Sequence, residues 1–450
     1  MAKSEYLTAP LPTKKTPPGI PYILANEAAE RFAFYGMTSI LVIFMARYLM
    51  APDGTLAVMG NEQATAWFHV FNSAVYFLPL VGALISDIWL AKYRTVIYFC
   101  LVYCVGFIAI TLDQTRLGLG VGLVLMAIGA GIIKPCVSAN VGDQFGETNK
   151  HLIARYYAWF YFSINFGAFV SMLLCPTLLH RYSPAVGFGV PAVLMILATA
   201  AYWLGRKKLV HIPAAGFGFV KESFSGEGLR AIGKLSIIYL FVTPFWSLFY
   251  QSQSAWVLQA ENMNLKWLGF TWLPEQPQSM NPLLIMVMIP LFSYVIYPAI
   301  SKVFPLTPLR KIGIGLFVTA FSFVVSAWIE TELAAGAKPS VGWQFAAYII
   351  LTAAEIMVSI TCLEFSYTQA PKKMKSFIQA VFLLSISLGN ALVATVNFFI
   401  QKEDGTARLS GANYYWFWIT IMIVTAILFI PVARRHRVKN YIQDEASAES

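Results

Sequence analysis

Three charged residues lie close together in the first long apolar stretch of the sequence. Glu27, Glu30 and Arg31 fall between Ile20 and Met50, in a segment long enough to cross a lipid bilayer. Because a charged side chain at bilayer depth costs about 2.5–3.5 kcal/mol, we expect all three to face protein or water. The i,i+3 and i,i+4 spacings from Glu27 place them on one helix face. Two acids around one base favour a carboxyl group that holds a proton, although a structural ion pair fits the same spacing.

Two more charged residues occupy the interior of apolar stretches on other helices. Lys134 precedes Pro135, which frees backbone carbonyl groups beside the Lys134 ammonium and so offers it partners inside the protein. The alternative is that the Lys134 side chain snorkels to the membrane surface. Glu355 lies thirteen residues after Gly342, about 20 Å along a helix and therefore near the middle of a membrane. Acids and bases on separate helices fit the two charged ends of a zwitterion.

The other polar residues within apolar stretches are less specific. His69 on its own is more typical of a hydrogen-bonded packing residue than of a titrating one. We expect Glu364 to form an ion pair at a gate or a helix end, with a loop lysine such as Lys372, rather than to contact a substrate. Asn165 and Asn281 are candidates for the wall of a cavity. Several aromatic residues could line it too, although most are expected to pack in the core: Phe34, Tyr35, Tyr76, Tyr161, Trp246 and Tyr250.

The composition is that of a membrane protein. Of the 450 residues, 58% are hydrophobic and only 12% are charged. Twelve apolar segments have spanning length: 20–49, 63–90, 95–113, 117–139, 153–180, 184–205, 234–258, 281–300, 311–330, 342–367, 376–400 and 413–433. The sequence therefore predicts an all-α polytopic membrane protein with twelve transmembrane helices, most of them continuous.

The net charge of +10 follows the predicted topology. An even number of spans puts both termini on one side of the membrane, and most of the 32 Lys and Arg residues lie on that side. The loops of the opposite side carry seven: Arg47, Arg116, Arg181, Lys266, Lys338, Lys402 and Arg408. This bias predicts cytoplasmic termini, and the scatter of bases over many short loops argues against nucleic-acid binding.

The connection between the sixth and seventh predicted spans, residues 206–233, is polar and is the longest inside the chain. It divides the chain into two halves of six helices each, 20–205 and 234–433, flanked by tails at 1–19 and 434–450. Two such halves commonly face each other across a cavity near the membrane midplane. We therefore expect a binding site between the halves.

No feature of the sequence predicts an enzyme, a cofactor or a metal site. The five cysteines lie within predicted spans, and the five histidines are dispersed, so neither a disulfide framework nor metal-ligand spacing is evident. A nucleophile with an adjacent base is not evident either.

Several stretches around these residues resemble the proton-dependent oligopeptide transporter family, a branch of the major facilitator superfamily. The family's ExxER motif is matched by NEAAERFAFYGM, and the superfamily's loop signature between helices two and three by GALISDIWLAKYRT. The two signature blocks of the family are matched by GAGIIKPCVSANVGDQF with FYFSINFGA, and by LEFSYTQAPKKMKS. The resemblance runs from about residue 22 to the last span and implies a major-facilitator fold.

The resemblance implies an alternating-access symporter that imports di- and tripeptides with protons and needs no cofactor. It assigns proton coupling to Glu27, Glu30, Arg31, His69 and Lys134, with Lys134 paired to the acid cluster. It assigns substrate binding to Arg31, Tyr35, Lys134, Asn165, Trp246, Asn281 and Glu355. In this reading Glu355 holds the amino terminus of the peptide, and Glu364 and Lys234 act as gating residues.

Three positions depart from the family pattern. Thr38 stands where peptide-carrying members often have a second base, and Tyr250 stands where many have an acid. Ser293 replaces an acid of animal members, which leaves Lys234 without its family partner. These changes keep another substrate open, such as nitrate or an amino acid derivative, and a non-transporting sensor is a further alternative.

The resemblance also bears on location and assembly. Residues 206–233 are too few for the two extra helices of several bacterial relatives. The ninth and tenth predicted spans are joined by only about a dozen residues, too few for the large external domain of animal members. We expect a monomer in a bacterial inner membrane with cytoplasmic termini, whose partners are the lipid bilayer, a small peptide and protons.

Overall fold

The computed structural model describes residues 6–214, 216, 226–369, 375–401 and 407–436. Within these residues, twelve helical spans are long and apolar enough to cross a membrane, which confirms the predicted all-α membrane fold. We number them span 1 to span 12: Ile20–Tyr48, Asn61–Leu90, Lys92–Leu112, Arg116–Asp143, Arg155–Arg181, Pro184–Lys207, Ile232–Ala260, Gln276–Ser301, Pro308–Ala334, Gly342–Ser366, Ala380–Ile400 and Ala412–Arg435.

Some spans are single α-helices and others are helices in series. The α-helices are Ile20–Ile43, Asn61–Ile85, Lys92–Leu112, Arg116–Asp143, Ile153–Arg181, Pro184–Leu204, Gly226–Gln251, Ala255–Ala260, Met280–Leu291, Tyr297–Ser301, Pro308–Ala334, Gly342–Glu355, Thr361–Gln369, Lys375–Ile400 and Ala412–Arg435. Turns of π-helix occur in spans 1, 2, 8 and 10, at Phe44–Tyr48, Ser86–Leu90, Phe292–Ile296 and Ile356–Ile360. The prediction of mostly continuous helices missed these turns, because one extra residue in a turn leaves an apolar pattern nearly unchanged.

The remaining regular structure is short and lies at the ends of spans or in the connections between them. Short 3₁₀-helices are formed by Glu147–Leu152, Gly205–Lys207 and Gln276–Ser279. Strands Lys266–Trp267 and Phe270–Thr271 pair antiparallel in the connection between spans 7 and 8.

Local sequence signals determine where several helices begin. The hydroxyl groups of Thr115, Ser183 and Thr307 accept hydrogen bonds from backbone N–H groups two or three residues later. Pro184 and Pro308 occupy the first helical position after two of these caps. A hydroxyl cap satisfies a donor that the helix leaves free, and proline at the first position lacks an N–H group that would need a partner.

The spans form an N-terminal half, spans 1–6, and a C-terminal half, spans 7–12. Spans 2 and 5 contact spans 11 and 8, respectively, across the interface between the halves. Because the number of spans is even, both described chain ends lie at one end of the bundle, which we call the terminal face. The opposite end is the far face. The predicted domain boundaries remain predictions, and the helix Gly226–Gln251 already covers the last part of the predicted connection 206–233.

Small residues let spans 2, 3 and 4 approach one another closely. A methyl group added at Gly82 would lie 2.5 Å from the carbonyl oxygen of Ile132, and one at Gly129 would lie 2.5 Å from the Cβ atom of Tyr103. Only glycine fits where backbones come this close. The packing places Tyr103 of span 3 directly against span 4 in the interior of the N-terminal half.

Candidate functional site

A cavity of about 350 Å³ lies between the two halves. Its size falls within the range of about 300–1,000 Å³ that is typical of small-molecule sites. All seven residues that the sequence assigned to substrate binding line it: Arg31, Tyr35, Lys134 and Asn165 from the N-terminal half, and Trp246, Asn281 and Glu355 from the C-terminal half. The structure brings these residues together, and their individual roles stay predictions.

The N-terminal half contributes two positive charges to the cavity wall. Lys134 Nζ lies 3.9 Å from the ring centroid of Tyr76 and 4.6 Å from that of Phe34. The guanidinium carbon of Arg31 lies 5.9 Å from the centroid of the same Phe34 ring. Aromatic faces attract cations, so these rings stabilise both charges inside the protein. The alternative that Lys134 snorkels to the membrane surface is therefore wrong.

The two acids of span 1 lie behind Arg31 and are not on the cavity wall. Arg31 Nε is 3.0 Å from Glu27 Oε1 and 2.5 Å from Glu30 Oε2. Glu27 and Glu30 are only 4% and 1% exposed. Among the ion pairs of the described residues, neither carboxylate is joined to Lys134. The three side chains therefore meet as the spacing predicts, and of the three only Arg31 lines the cavity.

The C-terminal half contributes a negative charge to the cavity. Asn281 Nδ2 donates hydrogen bonds to Glu355 Oε2 at 2.6 Å and to Thr352 Oγ1 at 3.1 Å. Glu355 is the last residue of its α-helix, immediately before the π turn Ile356–Ile360. Such turns are frequent at functional sites, since the extra residue changes the direction of the side chains around it. The amide of Asn281 therefore holds a carboxylate at the cavity wall.

Aromatic side chains form much of the remaining wall. Four of the six aromatic residues considered pack in the hydrophobic core, as expected: Phe34, Tyr76, Trp246 and Tyr250. Five of the six also line the cavity: Tyr35, Tyr76, Tyr161, Trp246 and Tyr250. The indole Nε1 of Trp246 is buried and has no hydrogen-bond partner among the described residues. Asn165 Nδ2 donates to the carbonyl oxygen of Tyr161 at 3.0 Å, which leaves its own Oδ1 available as an acceptor. These groups offer neutral polar contacts between the charged walls.

Hydrogen bonds of His69 join the two halves on the far-face side of the cavity. His69 Nδ1 lies 2.7 Å from Asn390 Oδ1, and its Nε2 lies 2.9 Å from Ser254 Oγ. Both ring nitrogens of this fully buried histidine of span 2 thus contact the C-terminal half. His69 is not among the residues that line the cavity, and its role in proton coupling stays a prediction.

Sequence reasoning missed two charged pairs that also join the halves at the far face. Arg47 Nη2 lies 2.7 Å from Glu261 Oε2, and His180 Nε2 lies 2.9 Å from Glu275 Oε1. The hydroxyl group of Tyr48 lies 3.2 Å from His180 Nδ1. The partners are 214 and 95 residues apart in the chain, so no local spacing signals them.

The two predicted gating residues lie on different spans of the C-terminal half, Glu364 on span 10 and Lys234 on span 7. Glu364 lines a second cavity at the terminal-face side of spans 8, 9 and 10, together with Ser293 and Lys311. Lys234 is exposed on the helix that forms span 7. Lys372, the loop partner considered for Glu364, lies outside the described residues. The gating role of both residues stays a prediction.

The positions that depart from the family pattern carry no charge into the cavity. Thr38 is fully buried, and its hydroxyl group donates to the carbonyl oxygen of Tyr35 at 3.2 Å within the same helix. Tyr250 lies on the cavity wall with its ring centroid 5.6 Å from that of Tyr76. The cations of Arg31 and Lys134 therefore remain the bases on the wall of this cavity.

The described residues offer no cluster for a metal ion. Among them, no group of three or more His, Cys, Asp or Glu side chains is placed to hold one. The five cysteines are all buried and free. The chemistry that the cavity supports is binding through charge, hydrogen bonds and aromatic faces.

Comparison with known proteins gives matches along most of the chain. The model of the POT family matches residues 93–225 and 217–417. Peptide transporter family 1 of Drosophila melanogaster is 34% identical over 374 residues, which cover 73% of this chain and 49% of that protein. Solute carrier family 15 member 2 of Rattus norvegicus is 32% identical over 414 residues, which cover 79% and 56%. The chain spans about half the length of these two relatives.

Solved structures of POT family proteins share the fold. An auto-inhibited POT family peptide transporter superposes with a TM-score of 0.86 at 31% identity, covering 95% of this chain and 99% of that one. The POT family transporter PepTSo gives a TM-score of 0.85 at 34% identity, covering 93% and 98%. These likenesses confirm the predicted major-facilitator fold with twelve transmembrane helices.

Proposed function

The chain belongs to the POT family, and from this premise we propose that it is a proton-coupled symporter that imports di- and tripeptides by alternating access. It is a carrier and not an enzyme, in keeping with relatives that are named as peptide transporters. Residue roles, direction of transport and location in the cell are parts of the same proposal.

The separation of charge across the cavity is the observation that carries this proposal. Arg31 and Lys134 lie on the wall of the N-terminal half, and Glu355 lies on the wall of the C-terminal half. A zwitterionic peptide pairs its carboxylate with the two cations and its ammonium group with Glu355. The peptide thereby contacts both halves at once, which an inorganic anion such as nitrate does not do.

Arg31 provides the coupling between the proton and the peptide. Its Nε contacts Glu27 and Glu30 while its guanidinium group reaches the cavity. Protonation of either acid removes a negative charge from the ion pair, so that Arg31 becomes available to the peptide carboxylate. The proton and the peptide then both bind more tightly to the same conformation. This difference in affinity between the two conformations drives the change of state.

The bonds between the halves fit an inward-facing state. His69, Arg47 and His180 all join the halves on the far-face side of the cavity. We assign the far face to the outside and the terminal face to the cytoplasm, in accord with the basic loops of the terminal side. In this assignment the protein is a monomer in a bacterial inner membrane.

Uptake by purified protein in proteoliposomes tests the proposal. Labelled di-alanine is supplied at two external pH values with the internal pH fixed, and tri-alanine, alanine and nitrate are added as competitors. We expect faster uptake at the lower external pH and competition by tri-alanine only.

Three results would contradict the proposal in different ways. Competition by nitrate without competition by tri-alanine would indicate an anion carrier. Binding of di-alanine without any flux would indicate a sensor. Equal accumulation at both pH values would show that transport is not coupled to protons. For variants that lose a carboxylate at the cavity or in the span 1 cluster, Glu332→Gln on span 9, away from the cavity, is the matched control.

A further inference from the structure

One of the contacts that close the far face has a charge that depends on pH. His180, near the end of span 5, belongs to the N-terminal half, and Glu275, just before span 8, belongs to the C-terminal half. The distance from His180 Nε2 to Glu275 Oε1 is 2.9 Å. An imidazole changes its charge between about pH 5 and 8, a range in which the neighbouring pair Arg47 and Glu261 keeps both charges. The closure at the far face therefore contains a group that responds to pH.

The carboxylate of Glu275 depends on His180 for a compensating charge. Glu275 is 0% exposed, and its Oε2 has no hydrogen-bond partner among the described residues. Within the same part of the chain, His180 is the only group that forms an ion pair with it. A buried carboxylate without a positive partner is strongly disfavoured, because it has lost its hydration. A proton on His180 therefore stabilises the arrangement in which the halves meet.

Further hydrogen bonds hold the segment around Glu275 against the N-terminal half. Gln276 Nε2 donates to Thr177 Oγ1 of span 5 at 3.2 Å. Gln278 Nε2 donates to the carbonyl oxygen of Ser39 of span 1 at 3.2 Å. These bonds are between neutral groups, so they position the carboxylate at any pH. The contact with the histidine adds a pH-dependent contribution to this closed arrangement.

The ring of His180 can hold one proton or two in the same position. Its Nδ1 lies 3.2 Å from the hydroxyl group of Tyr48, which can donate or accept. In a neutral ring with its proton on Nε2, Nε2 donates to Glu275 and Nδ1 accepts from Tyr48. When Nδ1 binds a proton from water, both nitrogens donate, one to the Tyr48 oxygen and one to the Glu275 carboxylate. The bond to the carboxylate becomes stronger, because both of its partners are then charged.

The other charged groups near His180 have smaller effects. Glu261, in the connection after span 7, acts on His180 through its charge. Its own partner Arg47 lies 2.7 Å away and offsets that charge. Arg181, the next residue of span 5, is exposed to solvent, which screens it. Glu275 in direct contact therefore dominates the surroundings of the ring.

Water at the far face reaches His180 but not His69. The side chain of His180 is 29% exposed, so it exchanges protons with the solution on that side. His69 also joins the halves, but it is fully buried, and its ring nitrogens contact only the neutral groups of Asn390 and Ser254. A proton on His180 thus comes from the far-face solution.

We propose that His180 is a second proton-binding site, which favours closure of the far face when the outside solution is acidic. This inference rests on the proposed function, which assigns the far face to the outside. The closed state binds this proton more tightly than the open state, in which Glu275 has moved away with the C-terminal half. By linkage, the proton shifts the equilibrium toward the closed state, and closure weakens as the pH rises. The proton returns to the outside water when the far face opens, so it is not carried across with the peptide.

Distances between two labels at the far face measure this equilibrium in the purified protein. The labels are attached at Leu56→Cys and Phe270→Cys, in the connections after spans 1 and 7, because both side chains are exposed and the five native cysteines are buried. The measurement runs from pH 8 to pH 5 without peptide and without a gradient. We expect the ratio of closed to open protein to rise, and to rise about five- to tenfold less in His180→Gln than in the wild type. This factor is the one by which a hydrogen bond between charged groups exceeds a neutral one.

A variant with a permanent charge complements the neutral one. His180→Lys is charged over the whole pH range, so we expect it to favour the closed state at pH 8 more than the wild type does at that pH. His151→Gln is the matched control, since His151 is an exposed histidine of the 3₁₀-helix Glu147–Leu152 at the terminal face. We expect this control to keep the wild-type pH dependence.

The inference is overturned if His180→Gln keeps the wild-type pH dependence, or if His180→Lys is no more closed than the wild type at pH 8. Melting temperatures show whether the variants are folded, and Glu275→Gln gives the same loss of pH dependence as His180→Gln through an independent change. Failure of the proposed function gives a different result. The wild type would then carry no di-alanine in vesicles, while the distances, which are measured without substrate, would still respond to a proton on His180.

Discussion

Replacement of Glu355 by Gln tests whether this carboxylate binds the amino group of the peptide. Gln has nearly the same shape, and its carbonyl oxygen can still accept the hydrogen bond that Asn281 Nδ2 donates at 2.6 Å. The substitution therefore removes the charge and preserves the geometry of the wall. A hydrogen bond to a charged group contributes about 1.5–3 kcal/mol, which corresponds to about 10- to 150-fold in affinity. We expect di-alanine to bind Glu355→Gln more weakly by a factor in this range.

The assay compares two ligands on two proteins. Half-saturating concentrations in counterflow are measured for di-alanine and for N-acetyl-di-alanine, which lacks the ammonium group, with the wild type and with Glu355→Gln. We expect a large loss for di-alanine and less than about a twofold change for the acetylated peptide, because the latter never made the ionic contact. An equal loss for both ligands, or none for either, would refute the assignment of the amino terminus to Glu355.

Three further predictions concern the other cavity wall, the far-face closure and the packing of the spans. Lys134→Gln weakens binding of di-alanine about tenfold but leaves binding of its C-terminal amide unchanged, as measured by competition in counterflow. Arg47→Glu and Glu261→Arg each shift the protein toward the outward-facing state by less than about 1 kcal/mol, since the two side chains are 41% and 23% exposed. The double swap restores the ion pair and with it the wild-type population of the two states, as measured by distances between labels at the far face. Gly82→Ala lowers the melting temperature because the new methyl group meets the backbone of the neighbouring span, whereas Gly120→Ala, with no atom within 4 Å, leaves it unchanged or raises it.

The spans and the charged cavity residues could be predicted from sequence for a physical reason. Apolar length is a local property, and a charge such as Glu355 stands out within it because burial in lipid is costly. The family motifs then brought Arg31 and Lys134 into one proposed site, and the cavity contains them both. The sequence could not show which aromatic rings also line the cavity, because periodicity does not reveal whether a ring that packs in the core reaches a cavity as well.

Features made by contacts between distant segments could not be predicted. The pair His180 and Glu275 gives no signal in the sequence, since it exists only when the two halves meet at the far face. Helical spacing places Glu30 beside Arg31, but it could not show that Arg31 reaches the cavity wall and Glu30 does not. That difference is decided by the spans that pack against span 1, mainly spans 5 and 6.

The most direct test of proton coupling through the span 1 cluster compares Glu30→Gln with the wild type in the same vesicles. Gln keeps the shape of Glu30 but holds no exchangeable carboxyl proton beside Arg31. Accumulation of labelled di-alanine under an inward pH gradient and counterflow exchange without a gradient are measured side by side. We expect Glu30→Gln to lose accumulation and retain exchange, and accumulation to the wild-type level would contradict coupling through this cluster.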